Sequence, residues 1–64
     1  MHCLVEIQND HCEVLSASET PEELLSAQQS RPLRIVVSAD VLLRSMVYGE
    51  ERGRVRDQLS KLAH

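Results

Sequence analysis

The chain has 64 residues and a net charge of −3, from 7 basic and 10 acidic residues. That length predicts a single domain, and the acidic balance argues against nucleic acid as a partner, because phosphate binding needs clustered lysine and arginine. The only aromatic residue is Tyr48, so the core has to be built from aliphatic side chains and cysteine. A small core of this kind gives marginal stability, which predicts help from a partner or a second copy.

No stretch of the sequence predicts membrane insertion or export. No apolar run approaches the roughly 18 residues of a membrane span, and residues 1–6 lack the basic and apolar regions of a signal peptide. We therefore expect a cytoplasmic chain whose two cysteines are reduced thiols.

Residues 3–16 predict a β-hairpin. Both arms are rich in strand formers, and Asn9-Asp10 between them suits a two-residue turn, because both side chains tolerate left-handed backbone. This turn places Gln8 opposite His11 and fixes every pair after it. One face of the hairpin then carries the core candidates Cys3, Val5, Ile7, Cys12 and Val14. The other face is mixed and mostly exposed.

A helix is predicted at 19–29 and a strand at 33–37. Thr20 is the expected N-cap of the helix, Pro21 suits its first position, and Glu23 completes the spacing of a capping box. The strand, Leu-Arg-Ile-Val-Val, is apolar on both faces, which predicts a central position in the sheet.

Segment 40–48 is compatible with either a strand or a helix, because its apolar residues fit neither period cleanly. As a helix it would have Ser38 as its cap. Gly49 separates it from residues 50–63, where apolar residues recur at helical spacing and predict a terminal helix. Together these elements predict an α+β fold: a three- to four-stranded, mostly antiparallel sheet with helices on one face.

Two His-Cys pairs, His2-Cys3 and His11-Cys12, are the residues most suggestive of chemistry. Two histidines and two cysteines can hold a structural zinc. The predicted register, however, places the cysteines on the core face and the histidines on the other face. It also separates the cysteines by roughly 13 Å at ~3.3 Å per residue, too far for a shared metal or a disulfide. We predict buried free thiols with no metal or cofactor, and a metal- or thiol-based sensor is the alternative function.

The sequence contains no Gly-x-Ser-x-Gly motif and no Gly-rich phosphate loop. A domain of this size also does not easily enclose a pocket of ~300 Å³. We therefore predict a non-enzymatic protein-interaction module or regulator. Read as a strand, residues 41–48 present spare aliphatic surface for strand addition, helix docking or a homodimer. The predicted partner-binding residues on one side of that strand are Leu42, Arg44, Met46 and Tyr48.

The terminal helix carries the chain's main basic cluster, interleaved with acidic residues. Its basic residues are Arg52, Arg54, Arg56 and Lys61. The alternating charges predict a solvated helix face. A DNA-associated regulator acting through residues 50–61 is a third alternative.

An apolar strand at 35–37, a polar turn at 38–40, the run Val41-Leu42-Leu43-Arg44 and a basic helix at 52–59 follow one another along the chain. In this order they resemble the first cytoplasmic subdomain of the actin-like platform proteins of type II secretion (the L component) and type IV pili (the M protein). Gly49 stands where that family has a proline, and no nucleotide-binding residue can be carried over. The resemblance implies a cytoplasmic bacterial scaffold that binds a secretion or pilus ATPase.

Overall fold

The computed structural model describes residues 1–9, 11–46 and 49–62. In chain order the elements are β1 (His2–Gln8), β2 (His11–Ser18), α1 (Glu22–Leu25), β3 (Gln29–Ser30), β4 (Leu33–Ser38), α2 (Ala39–Ser45) and α3 (Glu50–Leu62). The four strands form one antiparallel sheet in the order β2-β1-β4-β3. The predicted α+β fold class is confirmed.

The β1–β2 hairpin has the predicted register from its turn as far as the Val5–Val14 pair. Asn9 has a φ of 49°, in the left-handed region that asparagine visits more readily than most residues. Asp10, the other predicted turn residue, lies outside the described residues. Local turn chemistry and the apolar pattern therefore agree on this part of the hairpin.

Beyond Val14 the predicted register is wrong, because Leu15 is an extra residue with no partner in β1. The resulting β-bulge places Ala17 opposite Cys3, where regular pairing would have placed Ser16. Ala17 packs against the core. The bulge thus puts an apolar residue, rather than a hydroxyl, on the face that the core uses.

The core face of the sheet is a grid of three rows, each with one apolar residue from β2, β1 and β4. Directly paired residues point to the same face, and alternate residues of a strand share a face. The first row is Ala17, Cys3 and Val37, the second is Val14, Val5 and Ile35, and the third is Cys12, Ile7 and Leu33. The core cluster contains members of the first two rows.

Segment 40–48 is helical over most of its described part, as α2, and the strand alternative is wrong there. The sequence does contain the helical signal, at i, i+3, i+4 and i+7. The four residues at this spacing are Ala39, Leu42, Leu43 and Met46. Ala39 is buried and the other three pack against the core cluster. The period was obscured by Val41, which is exposed, and by Val47, which with Tyr48 lies outside the described residues.

Helix α3 packs on the core face together with α2. Val55 and Leu59 are buried in the core cluster, as their spacing predicts, and the helix ends at Leu62. The predicted boundary at residue 63 lies outside the described residues. Ser38 precedes α2 in extended conformation, as expected of a cap residue, but its side chain forms no capping hydrogen bond.

The predicted helix at 19–29 is wrong in extent, because α1 spans only Glu22–Leu25. The Ala27 and Gln28 N–H groups bond to carbonyls three residues back, so the chain tightens and leaves the helix. Residues 29–30 then pair with β4 as the short strand β3. A single helical turn has little stability of its own, so pairing with the sheet decides the conformation here.

The capping box predicted around Thr20 is also absent, since no side chain caps α1. Instead, the Ser18 hydroxyl accepts a hydrogen bond from the Thr20 N–H at 3.0 Å and donates one to Glu23 Oε2 at 2.7 Å. The acidic residue of the predicted box is thus used, but its partner comes from the end of β2.

Leu4 alternates with Cys3 and Val5 and therefore points away from the core face, yet it is only 5% exposed. Helix α1 contacts β2 and β4, the two strands that flank β1, and its Leu24 is also buried. The expectation of a mostly exposed second face is therefore wrong at Leu4. The expectation that all helices lie on one face is wrong as well, because α1 packs on the face opposite α2 and α3. None of the described helices is long and apolar enough to cross a membrane.

Candidate interaction surface

The described members of the predicted partner-binding set do not share one side, because α2 takes the place of the strand alternative on which that prediction rests. Leu42 and Met46 are partly buried against the core cluster. Arg44 is exposed, and its Nε donates to the Asp40 carbonyl at 3.4 Å. Tyr48 lies outside the described residues. Leu42 and Met46 therefore contribute to the fold itself, and a partner-binding role for these residues stays a prediction.

The third row of the grid is the least covered part of the core face. Val5 in the second row is fully buried, whereas Ile7 is 36% exposed and Leu33 is 43% exposed. Cys12, the third member of the row, is half-buried. The row Cys12, Ile7 and Leu33, called the open row below, is therefore an uncharged apolar surface that continues the core.

The outer edge of β2 is bound by side chains of α3. The Cys12 N–H donates to Glu51 Oε1 at 3.0 Å, and Arg54 Nη2 donates to the Cys12 carbonyl. The Val14 N–H donates to Gln58 Oε1 at 3.2 Å. Glu51, Arg54 and Gln58, called the edge contact below, thus take the place that a neighbouring strand would have on this side of the sheet.

The predicted solvated face of α3 is wrong for three of its charged residues. Glu51 and Arg54 bind β2 and also pair with each other at 2.7 Å, and Arg52 Nε donates to the Leu43 carbonyl at 3.0 Å. Arg56, in contrast, is exposed. Part of the basic cluster therefore stabilises the packing of α3 against its neighbours.

Sequence reasoning missed the edge contact, although its spacing was visible. Positions 51, 54 and 58 form an i, i+3, i+7 stripe beside the apolar stripe of Val55 and Leu59. A polar stripe at the border of a buried face can reach backbone groups of the element below. Which element that is depends on how the helix packs, and the helical period alone does not show it.

The opposite edge of the sheet is bound in a similar way. β3 pairs with Leu33 and Arg34. The Val36 N–H, beyond the end of β3, donates to Gln28 Oε1 at 3.1 Å. At each edge of the sheet, a glutamine side chain therefore accepts a hydrogen bond from an outward backbone N–H.

Glu6 lies on the face opposite the core, between a like charge and an opposite one. Glu6 pairs with Glu13 on β2, as predicted, and with Arg34 on β4. The Arg34 Nε lies 3.7 Å from Glu6 Oε2, and the Gln8 amide donates to Glu6 Oε1 at 3.3 Å. Arg34 offsets the repulsion between the two carboxylates, which makes this row an ordinary charged surface.

The two cysteines are free thiols in the first and third rows of the grid, but the prediction that both are buried is wrong for Cys12, which is half-buried. Cys3 is fully buried, and its Sγ–H contacts the Val37 carbonyl at 3.6 Å. Burial raises the pKa of the Cys3 thiol, and burial together with the Glu51 carboxylate raises the pKa of the Cys12 thiol. Among the described residues, no three His, Cys, Asp or Glu side chains are grouped as metal ligands. His2, Cys3, His11 and Cys12 are therefore not brought together.

The carboxylate of Glu51 lies among a backbone donor, a guanidinium and an imidazole. The Cys12 N–H and the Arg54 guanidinium lower the pKa of its carboxyl group below the usual range, with a contribution from His11. The His11 Nδ1 lies 4.0 Å from Glu51 Oε2. The charged form of the Glu51 carboxylate is thus favoured by groups of β2 and by Arg54 of the same helix, which is a structural role.

Within the part of the chain that the structure describes, no pocket opens. Compared with known proteins, the chain matches no protein-family model, no curated protein and no solved structure. The resemblance to the platform proteins therefore stays a prediction. Residues 41–44, which it reads as a strand, lie in α2.

Proposed function

We infer that the chain is a non-enzymatic protein-interaction module that associates with a second copy of itself through the open row. The observation that carries this proposal is the exposure of Ile7 and Leu33 on the face where Cys3 and Val5 are fully buried. Their row continues a core whose inner residues are fully shielded from water. Covering it would extend that core without rearranging the fold.

Association through a face fits the hydrogen bonding of the sheet better than association at an edge. The outward N–H groups of Cys12, Val14 and Val36 are bound by side chains. Strand addition at these positions would first have to break those bonds. Apolar contact with the open row requires no such exchange.

A second copy is the occupant that the chemistry of the row favours. The three side chains of the open row are uncharged, so two copies related by a two-fold axis meet apolar on apolar without opposing like charges. A chain of this size with an aliphatic core also gains from burying more apolar surface, since small domains are marginally stable. The runner-up partner is a cytoplasmic bacterial protein, the class that the resemblance to the platform proteins implies.

The test compares two leucines that are similarly exposed but lie on different elements. Leu33, in the open row, is 43% exposed, and Leu25, on α1, is 49% exposed. Sedimentation equilibrium across a range of concentrations should show self-association of the parent chain. Leu33→Asp should weaken it by about tenfold or more, because a charge is placed in an apolar contact, while Leu25→Asp should behave like the parent.

Three results would contradict the proposal. A parent chain that stays monomeric at every concentration refutes self-association. Equal association of Leu33→Asp and the parent, with both folded by circular dichroism, removes the open row from the contact. Equal weakening by Leu25→Asp would show that the effect is a general one of added charge.

A further inference from the structure

The edge contact uses backbone groups that sheets ordinarily use for pairing. An edge strand presents outward N–H and C=O groups that can template another strand. On β2 the outward groups of Cys12 and the outward N–H of Val14 are all engaged by α3. We propose that the edge contact is an autoinhibitory contact: α3 closes the edge of β2 against β2 of a second copy.

The two arrangements exclude each other because they need the same atoms. An incoming strand would have to accept the hydrogen bonds from Cys12 and Val14 that Glu51 and Gln58 accept now. It would also have to donate to the Cys12 carbonyl in place of Arg54. The edge therefore becomes available only when these side chains leave, even if the buried residues of α3 stay in the core.

The strand that this contact excludes is identified by the sequence of β2 itself. Residues 14–18, Val-Leu-Ser-Ala-Ser, which begin at the covered Val14, carry no charge, so two copies of this strand can pair there without opposing like charges. Two β2 edges can pair antiparallel about a two-fold axis and leave both chains equivalent. The other edge of the sheet is shorter and its Val36 N–H is bound by Gln28, so edge pairing would stop at a dimer.

The test removes both acceptors of the edge contact without touching the core, in the double variant Glu51→Ala/Gln58→Ala, which also deprives Arg54 of its carboxylate partner. The matched control is Arg56→Ala/Asp57→Ala, which changes two exposed residues of the same helix. Amide hydrogen exchange measured by NMR should accelerate by about tenfold or more at Cys12, whose acceptor is charged, and by about threefold or more at Val14, whose acceptor is neutral.

The Glu13 amide is an internal reference for the exchange measurement. Because residues of a strand alternate in direction, its N–H faces β1, and its exchange should stay at the parent rate in both double variants. The edge variant should also gain a concentration-dependent association that the control lacks. The association measurement is repeated with Leu33→Asp added to both double variants. Because Leu33→Asp removes contacts through the open row, any association that remains belongs to the edge of β2, and the autoinhibitory role does not depend on the open row.

Unchanged exchange at Cys12 and Val14 in a folded edge variant would overturn the proposal, because the edge contact would then protect nothing. Faster exchange without any new association would overturn the inhibitory role as well. If the double variant does not fold, Gln58→Ala alone tests the contact through the exchange rate of the Val14 amide. This single change removes only a neutral, half-buried side chain.

Discussion

Replacing Gly53 by alanine should stabilise the fold, whereas the same replacement at Gly49 should destabilise it. Gly53 lies inside α3, and its N–H bonds to the Gly49 carbonyl at 3.1 Å. A Cβ added at Gly53 would meet no atom within 4 Å, so the change brings no steric conflict. Alanine is favoured over glycine in helices because its unfolded backbone is less free, which predicts a gain of about 0.5–1 kcal/mol.

Gly49 has the same open space around its Cα but a different backbone. Its φ is +155°, a backbone conformation that residues other than glycine rarely adopt. Holding alanine there costs about 1–3 kcal/mol of strain. The two substitutions are chemically identical, so the opposite signs isolate the backbone conformation as their cause.

Urea denaturation at 25 °C measures both free energies of unfolding, and thermal unfolding gives an independent value. For a domain of this size, the stabilisation expected for Gly53→Ala corresponds to a rise in Tm of about 2–8 °C. The slope of the urea transition should not change, since neither substitution alters the surface exposed on unfolding. A Gly53→Ala variant no more stable than the parent, or a Gly49→Ala variant equal to it, would refute the reasoning.

Two further predictions follow from the ionisable groups. Both thiols should react with iodoacetamide more slowly in the folded chain than in urea, Cys3 more slowly than Cys12, because burial raises both pKa values and Cys3 is fully buried; similar rates for Cys3 in both states would contradict this. Because the pKa values of both thiols are raised in the folded chain, the stability that the buried neutral thiols contribute is present below the ordinary thiol pKa of about 8.5. It is lost as the pH rises through the folded pKa values. The carboxyl of Glu51 has a lowered pKa, so its contribution is present above the ordinary value of about 4.3 and is lost as pH falls through the folded pKa. The stability difference between the parent and Glu51→Gln should therefore shrink in acid, and a difference that is constant from neutral to low pH would exclude this role.

The parts of the fold that follow from local chemistry could be predicted from the sequence. The turn at Asn9 and the alternation of apolar residues in both strands, which pairs Val5 with Val14, fix the register of the hairpin near its tip. β4 was expected at 33–37 and extends one residue further, to Ser38. In these segments the turn residues, the β-branched side chains and the apolar period agree.

The parts that depend on distant contacts could not be predicted. The residues around Thr20 carry genuine helix-start signals, but β3 pairs with β4 and ends the helix after one turn. Leu4 was assigned to an exposed face because nothing in the hairpin indicates that the chain after β2 returns across it. The helical pattern of α3 gives no sign of the acceptor role of Glu51 and Gln58, because that role needs the edge of β2 beside the helix.

The bulge at Leu15 lets β2 hold one residue more than regular pairing with β1 needs. A chain without Leu15 would place Ala17 opposite Cys3 by regular pairing, since the bulge already skips this one residue. The pairs of β1 with β2 are thus those of a hairpin one residue shorter. Leu15 is thus an extra residue held by the bulge, and removing it should leave in place all the side chains that face the core.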